Sequence, residues 1–320
     1  MRLIAEDFIT SVKLRAMVPI SQQTFTEANV LQVASEELVT RMVPLIMSVR
    51  EKFFLSYKRT AITASKSRYT IAERAIGNAL QTVWILDTSN RRLRCVYQTD
   101  VNELTTSPGD TGSEVSQILL QGDEIVLLPT PASAFGYVEQ WYYSRPNQLV
   151  LSSSCAKITA VASVGGTTTF TVNTDLTGSL SVGSKIDIVS GKSPYLLWAE
   201  DATITAITST SIAVATTDVV DEVSAVEPVA NDYICPAKQS NIPNIPEEFH
   251  PVLAQSVAYT LLKSLGMAQK AAQAKADYDE LAANVLKLVG NRVESGVKPV
   301  FNPSGIHSAI GSGLPTGFLR

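Results

Sequence analysis

Histidine is almost missing from this chain: 320 residues hold two, His250 and His307. A Ser–His–Asp arrangement would have to use one of them. His307 lies in a C-terminal stretch dotted with glycine and proline, a poor support for catalytic geometry. Cysteine is scarce as well. Cys95, Cys155 and Cys235 are odd in number and far apart, which is neither a disulfide framework nor a zinc-ligand pattern. The expectation is buried thiols in a reducing compartment. No apolar run approaches the roughly 20 residues of a membrane span; the densest, MVPLIM at 42–47, is far shorter. The N-terminal MRLIAEDFIT sets Glu6 and Asp7 where a signal peptide needs its apolar core. A soluble protein made in the cytoplasm is expected.

Positive charge is missing in places. No Lys or Arg stands between Arg94 and Arg145, a stretch that carries Asp100, Glu103, Asp110, Glu114, Asp123, Glu124 and Glu139. The same holds between Lys192 and Lys238, where Glu200, Asp201, Asp218, Asp221, Glu222, Glu227 and Asp232 lie. Two solvated acidic surfaces are the simplest reading. The sharper one is a surface that repels phosphates, such as the wall of a DNA channel. The net charge of −4 gives no support to a nucleic-acid-binding footprint. Nucleotide and protease signatures are absent too. GKS at 191–193 has Ile186 where a phosphate loop needs glycine, and neither HExxH nor GxSxG occurs. No cofactor and no metal site are expected.

What is present reads first as helix. Leu31, Ala34, Leu38, Met42, Leu45, Val49 and Phe53 recur at three- and four-residue steps over 26–54. Thr26 suits the N-cap, Phe25 and Val30 suit a hydrophobic staple, and Pro44 should kink the helix. A shorter helix is expected from Glu6 to Met17. RYTIAERAIGNALQTVWILD (68–87) begins extended, with a short helical turn expected around 72–80. RRLRCVYQTD (91–100), DEIVLLPTP (123–131) and GYVEQWYYSRPNQLVL (136–151) read as strands and turns. From 154 to 235, Thr, Val, Ser and Ile dominate in short runs broken by turn residues, and Gly165-Gly166 suits a hairpin. Strands at that spacing argue a small all-β barrel or sandwich inserted in a helical unit. Helices return afterwards: one after Pro251, a second rich in alanine, hinged near Gly266 and stopping at Gly290.

The expected fold is therefore α+β. A helical-bundle core with short strands spans 1–150 and 236–290, an inserted β domain spans 151–235, and an extended tail spans 291–320. Val297, Val300, Phe301, Ile306, Ile310, Leu314 and Phe318 punctuate that tail, as spaced anchors that dock on a partner would. His250 sits in PEEFHP beside Glu247 and Glu248. Proline at a first helical position and acids at the positive end of a helix suit a plain helix start there. A metal site or acid–base catalysis stands as the competing reading, weakened because sequence neighbours rarely converge on one ion.

TFTEANVLQVASEELVTRMVPLIMSVREKFFL resembles the first long helix of tailed-phage head–tail adaptor (connector) proteins. RYTIAERAIGNALQTVWILD, DEIVLLPTP, VEQWYYSRPNQLVL and IPEEFHPVLAQSVAYTLLKSLG follow in the order of that family, so the resemblance covers roughly 20–150 and 236–290. It implies a structural virion protein without catalytic residues, at the head–tail junction. Such proteins form a homo-oligomeric ring, a dodecamer, with the portal protein above and a tail or stopper protein below. Genomic DNA passes through without specific binding, and no membrane is involved. The tail would reach the portal, and Asp100, Glu103, Asp110, Glu114, Asp123 and Glu124 would belong to an acidic channel or surface. A tail-completion (tail-terminator) protein and a binding module built on the β domain are the alternatives.

Overall fold

Both ends of the described chain contribute to one helical layer. In the computed structural model, residues 4–17, 25–98, 105–107, 109–193, 195, 197–219 and 228–290 are described. Helix α1 (Ala5–Arg15) matches the short helix expected from the sequence. Helix α2 (Glu27–Glu37) opens on Thr26, whose hydroxyl accepts the Asn29 N–H at 3.2 Å, the capping bond its position suggests. Pro44 has no N–H to offer the preceding turn. The helix widens into a π turn over Leu38–Met42, where the Val43 N–H returns to the Leu38 carbonyl, and closes with α3 (Val43–Met47). It thus stops short of the expected residue 54. Helices α4 (His250–Ser264) and α5 (Ala268–Val289) form a hairpin whose turn uses Gly266 at φ +70°. Phe8, Val30, Leu38, Met42, Phe249, Leu253 and Val257 share one core. Glu37 pins this layer from inside: it accepts Ser256 Oγ at 2.5 Å and Thr260 Oγ1 at 2.7 Å, and meets Arg41 Nε at 3.0 Å.

The helical-bundle core expected for the rest of 1–150 is overturned. After α3 the chain is sheet, built from β1 (Leu55–Ala61), β2 (Arg68–Thr70), β3 (Ala75–Leu86), β4 (Val96–Gln98), β5 (Thr111–Gly112), β6 (Gln117–Gln121), β7 (Glu124–Leu128), β8 (Thr130–Pro131), β9 (Tyr137–Ser144) and β10 (Gln148–Leu149). One sheet runs β1-β9-β3 and another β2-β7-β6-β4. Tyr69, Ile118, Ile125 and Leu127 of the second meet Val83, Ile85, Val138 and Tyr142 of the first, so the two form a sandwich. The helical turn expected at 72–80 is instead the irregular start of β3. Gly77 and Asn78 both take positive φ, and the pairing with β9 shifts between Ala75 and Thr82. The alanines there suggested helix; burial of Ala75 against the sandwich core decided for strand.

The Thr- and Val-rich stretch closes a barrel. Its strands are β11 (Ala156–Val164), β12 (Thr167–Val172), β13 (Lys185–Val189), β14 (Leu197–Ile207), β15 (Ser211–Ala215) and β16 (Tyr233–Pro236), in the order β11-β12-β15-β14-β13-β16. Gly165 and Gly166 both take positive φ at the hairpin tip, as their position suggested. Phe170, Ile186, Ile188, Ile204, Ile212 and Val214 fill the interior. A short strand, β17 (Gln239–Ser240), then pairs in parallel with β10 and returns the chain to the helices.

The cysteines depart from expectation. Cys155 and Cys235, both buried, form a disulfide where the chain enters and leaves the barrel, with Cα atoms 4.5 Å apart. Eighty residues separate them; only closure of the barrel brings them together, so their spacing gave no sign of it. Cys95 alone stays a thiol, pushed up to about 11 by burial.

Candidate functional site: a buried ionic joint

The densest polar cluster lies where the sandwich meets the barrel. Arg74, at the turn before β3, is 4% exposed. Its Nη2 donates to both Asp187 oxygens at 2.6 and 2.7 Å and to Asp201 Oδ1 at 3.1 Å. Its Nη1 donates to Asn147 Oδ1 at 2.7 Å, and its Nε stands 3.7 Å from Glu200 Oε2. Arg74 and Asn147 come from the sandwich side, while Asp187, Glu200 and Asp201 come from the barrel.

Strand alternation puts Asp187 there. In KIDIV, Ile186 and Ile188 face the barrel interior, so Asp187 faces outward. That outward side is covered by the sandwich, and Asp187 is wholly buried. It also accepts Asn147 Nδ2 at 2.7 Å, the Asp201 N–H at 3.0 Å and the Lys238 N–H at 2.8 Å. Asp201 and Lys238 hold φ of +55° and +65°, a region costly for a residue with a Cβ. In that conformation both aim their N–H groups at Asp187.

The electrostatics follow from one cation among three carboxylates. Burial works against the Arg74 charge, but Asp187, Asp201 and Glu200 outweigh it and hold the guanidinium above its ordinary pKa. Burial raises the Glu200 carboxyl, with Arg74 and the hydroxyls of Tyr142 and Ser144 pulling the other way. Those hydroxyls donate to Glu200 at 3.1 and 3.2 Å. Asp201 is held low: burial opposes its charge, and the Arg74 bond and field win. A cavity of about 130 Å³ opens beside Glu200, lined in part by Phe53, Phe54, Ser144, Tyr195 and Leu197. An arginine this strongly held does not exchange protons near neutrality. The cluster's evident capacity is mechanical, fixing the barrel's orientation on the sandwich.

His250 is wholly buried. Its Nε2 lies 3.2 Å from the Ile245 carbonyl and its ring stacks on Tyr195 at 5.2 Å. Burial lowers its pKa to about 4. A 3₁₀ turn over Glu247–Phe249 precedes it, and Pro251 sits in the first turn of α4, as the helix-start reading expects. Glu248 is exposed, and among the described residues no group of three or more His, Cys, Asp or Glu could hold a metal.

The acidic stretches divide. Asp110, Glu114 and Asp123 are exposed, and Glu124 pairs with Arg68 at 2.6 Å. Glu139 and Asp232 are buried internal partners, and Glu200 and Asp201, about a quarter exposed, are partners in the joint. Glu139 pairs with Arg59 at 2.6 Å, and Asp232 accepts the Gly191 and Val229 N–H groups at 2.8 Å. Asp100, Glu103 and the tail anchors Val297, Val300, Phe301, Ile306, Ile310, Leu314 and Phe318 lie outside the described residues. Arg74 and Asp187 were missed in the sequence. The available signal was a lone acid between two isoleucines in a strand; Arg74, between Glu73 and Ala75, gave none.

No helix among the described residues is long and apolar enough to cross a membrane. Neither a protein-family model nor a curated protein sequence matches the chain.

Proposed function

We propose that this chain is a structural subunit of a tailed-phage virion, a head–tail adaptor that forms a dodecameric ring between portal and tail. One observation carries the reading. Four polar residues from two of the segments that resemble the family are spent on holding the molecule's parts together. Arg74 lies in RYTIAERAIGNALQTVWILD, while Tyr142, Ser144 and Asn147 lie in VEQWYYSRPNQLVL. All four bond to the barrel's carboxylates. A subunit that must present surfaces to several neighbours at fixed angles has a use for such a joint. The proposal assigns the chain no catalytic step and no cofactor. Its partners are further copies of itself, the portal protein, a tail or stopper protein, and passing genomic DNA.

The test is assembly. The chain is purified alone and with the portal protein encoded in the same genome, then examined by mass photometry and electron microscopy. Twelvefold rings of about 410 kDa, twelve times the 34.4 kDa chain, support the proposal. A monomer under both conditions refutes it. Truncation after residue 291 tests the tail: loss of portal docking with an unchanged melting curve is expected, and unchanged docking removes the tail's role.

A further inference from the structure

The sandwich carries surface patches that differ in charge and in kind. On the β1-β9-β3 sheet, Val83, Ile85, Val138 and Tyr142 point inward, so Tyr57, Arg59, Trp84, Glu139 and Trp141 point outward. Tyr57 stacks on Trp141 across the strands at 5.1 Å, and Trp141 meets Trp84 at 5.4 Å. Arg92, bridged to Leu86 at the end of β3, lays its guanidinium over Trp84 at 3.0 Å, and Arg59 lies 5.5 Å from the Tyr57 ring. The row therefore runs cation, three rings, cation.

Three carboxylates lie on or beside this face. Glu139 is taken up by Arg59 and by the Trp141 Nε1–H at 2.7 Å. At the sheet's margin, Asp87 caps its turn by accepting the Ser89 and Arg91 N–H groups, and Glu51 accepts the Tyr143 hydroxyl. Arg91 and Arg94 are exposed beside Arg92. Four arginines (Arg59, Arg91, Arg92, Arg94) thus stand against those three carboxylates, and aromatic rings with arginine are the side chains that dominate protein interfaces.

The loops of the other sheet carry the opposite sign, while its outward Leu119, Val126 and Leu128 are buried. Asp110, Glu114, Asp123 and Glu124 lie on its loops and the β6–β7 turn, against Arg68 and Lys66, with Leu120 47% exposed beside them. Two patches of opposite charge on different parts of one chain suit head-to-tail contact between copies, which closes into a ring where the rotation permits. We infer that the Tyr57–Trp141–Trp84–Arg92 face is a subunit interface, and that its occupant is the acidic side of the sandwich in a second copy of this chain. The inference rests on the ring reading above and adds the contact that would build it.

Charge swaps test it. One variant carries Arg91→Glu, Arg92→Glu and Arg94→Glu; a second carries Glu114→Lys and Asp123→Lys. All five positions are exposed, and unchanged thermal melting certifies the fold. Each variant alone should need about tenfold or more higher concentration to assemble, because like charges now meet. Mixing the two should restore assembly, since each then finds a complementary face, and high salt should weaken assembly of the unaltered chain. If the unaltered chain assembles and neither variant disturbs it, or if mixing restores nothing, this interface is overturned while the ring reading stands. If the unaltered chain never assembles, with or without portal, both fall. Retention of short single-stranded DNA by the unaltered chain, lost in the arginine variant while assembly is unaffected, would assign the face to nucleic acid instead.

Discussion

Replacing Arg74 with methionine keeps an apolar stem of similar length and deletes the guanidinium. The bonds to both Asp187 oxygens, to Asn147 Oδ1 and to Asp201 Oδ1 are lost together. Asp187 remains wholly buried, and a buried charge stripped of its partner costs about 3–5 kcal/mol. Asp187 keeps three N–H donors, from Asn147, Asp201 and Lys238, so the lower end applies: about 3 kcal/mol, a factor of about a hundred in the folded population. Urea unfolding followed by tryptophan fluorescence measures it, and the tryptophans divide conveniently. Trp198 reports on the barrel, whereas Trp84 and Trp141 report on the sandwich. Single-tryptophan versions should melt together in the parent and separately after Arg74→Met. Arg74→Lys should recover little, because an ammonium cannot form the same fork to Asp187 and Asn147 at once. A loss below about 1 kcal/mol, on the scale of an exposed pair, with the two transitions still coincident, would refute the claim that this cluster fixes the barrel.

Other expectations concern the rest of the fold. His250 has its folded pKa lowered to about 4 by burial against about 6.5 for an unfolded histidine. Its contribution is fully present above the unfolded value and lost as pH falls through that window, about 3 kcal/mol in all. His250→Phe should flatten this slope in unfolding titrations from pH 7 to 4, and an unchanged slope would contradict the assignment. Gly136→Ala should disrupt the β3–β9 edge, because φ is +55° and a Cβ there would collide with the Leu86 carbonyl; a melting temperature equal to the parent's would show the close approach to be wrong. Replacing Cys155 and Cys235 by alanine opens an 80-residue loop and should cost about 4.5 kcal/mol on the chain-entropy account. Calorimetry on the oxidised and substituted forms checks this, and equal stability would count against the crosslink.

Local patterns carried a good part of this fold. The Thr26 cap, the disturbance at Pro44, the Gly165-Gly166 hairpin, the β character of 154–235 and the Gly266 helical turn are all effects of a few neighbouring residues. They were legible for that reason. The sandwich was underestimated because its strands are short and irregular, and because Ala72–Leu80 offers alanines where helix propensity and burial disagree. The joint was illegible for a different reason. Arg74 lies 113 residues from Asp187 in sequence, and whether a lone acid between isoleucines faces water or a second layer depends on what covers the barrel. The same uncertainty misplaced Glu139 and Asp232 on solvated surfaces.

The disulfide has a bearing on modularity. Entry and exit of the barrel sit 4.5 Å apart between Cα atoms, about the spacing of facing residues in a hairpin. The inserted strands thus form a cassette that could be cut out and the gap spanned by a tight turn without moving the helices. Excision would leave Arg74 facing solvent with its acidic partners gone. A shortened chain would therefore need that one position changed along with the deletion, and a lineage gaining or losing the cassette would be expected to gain or lose the arginine with it.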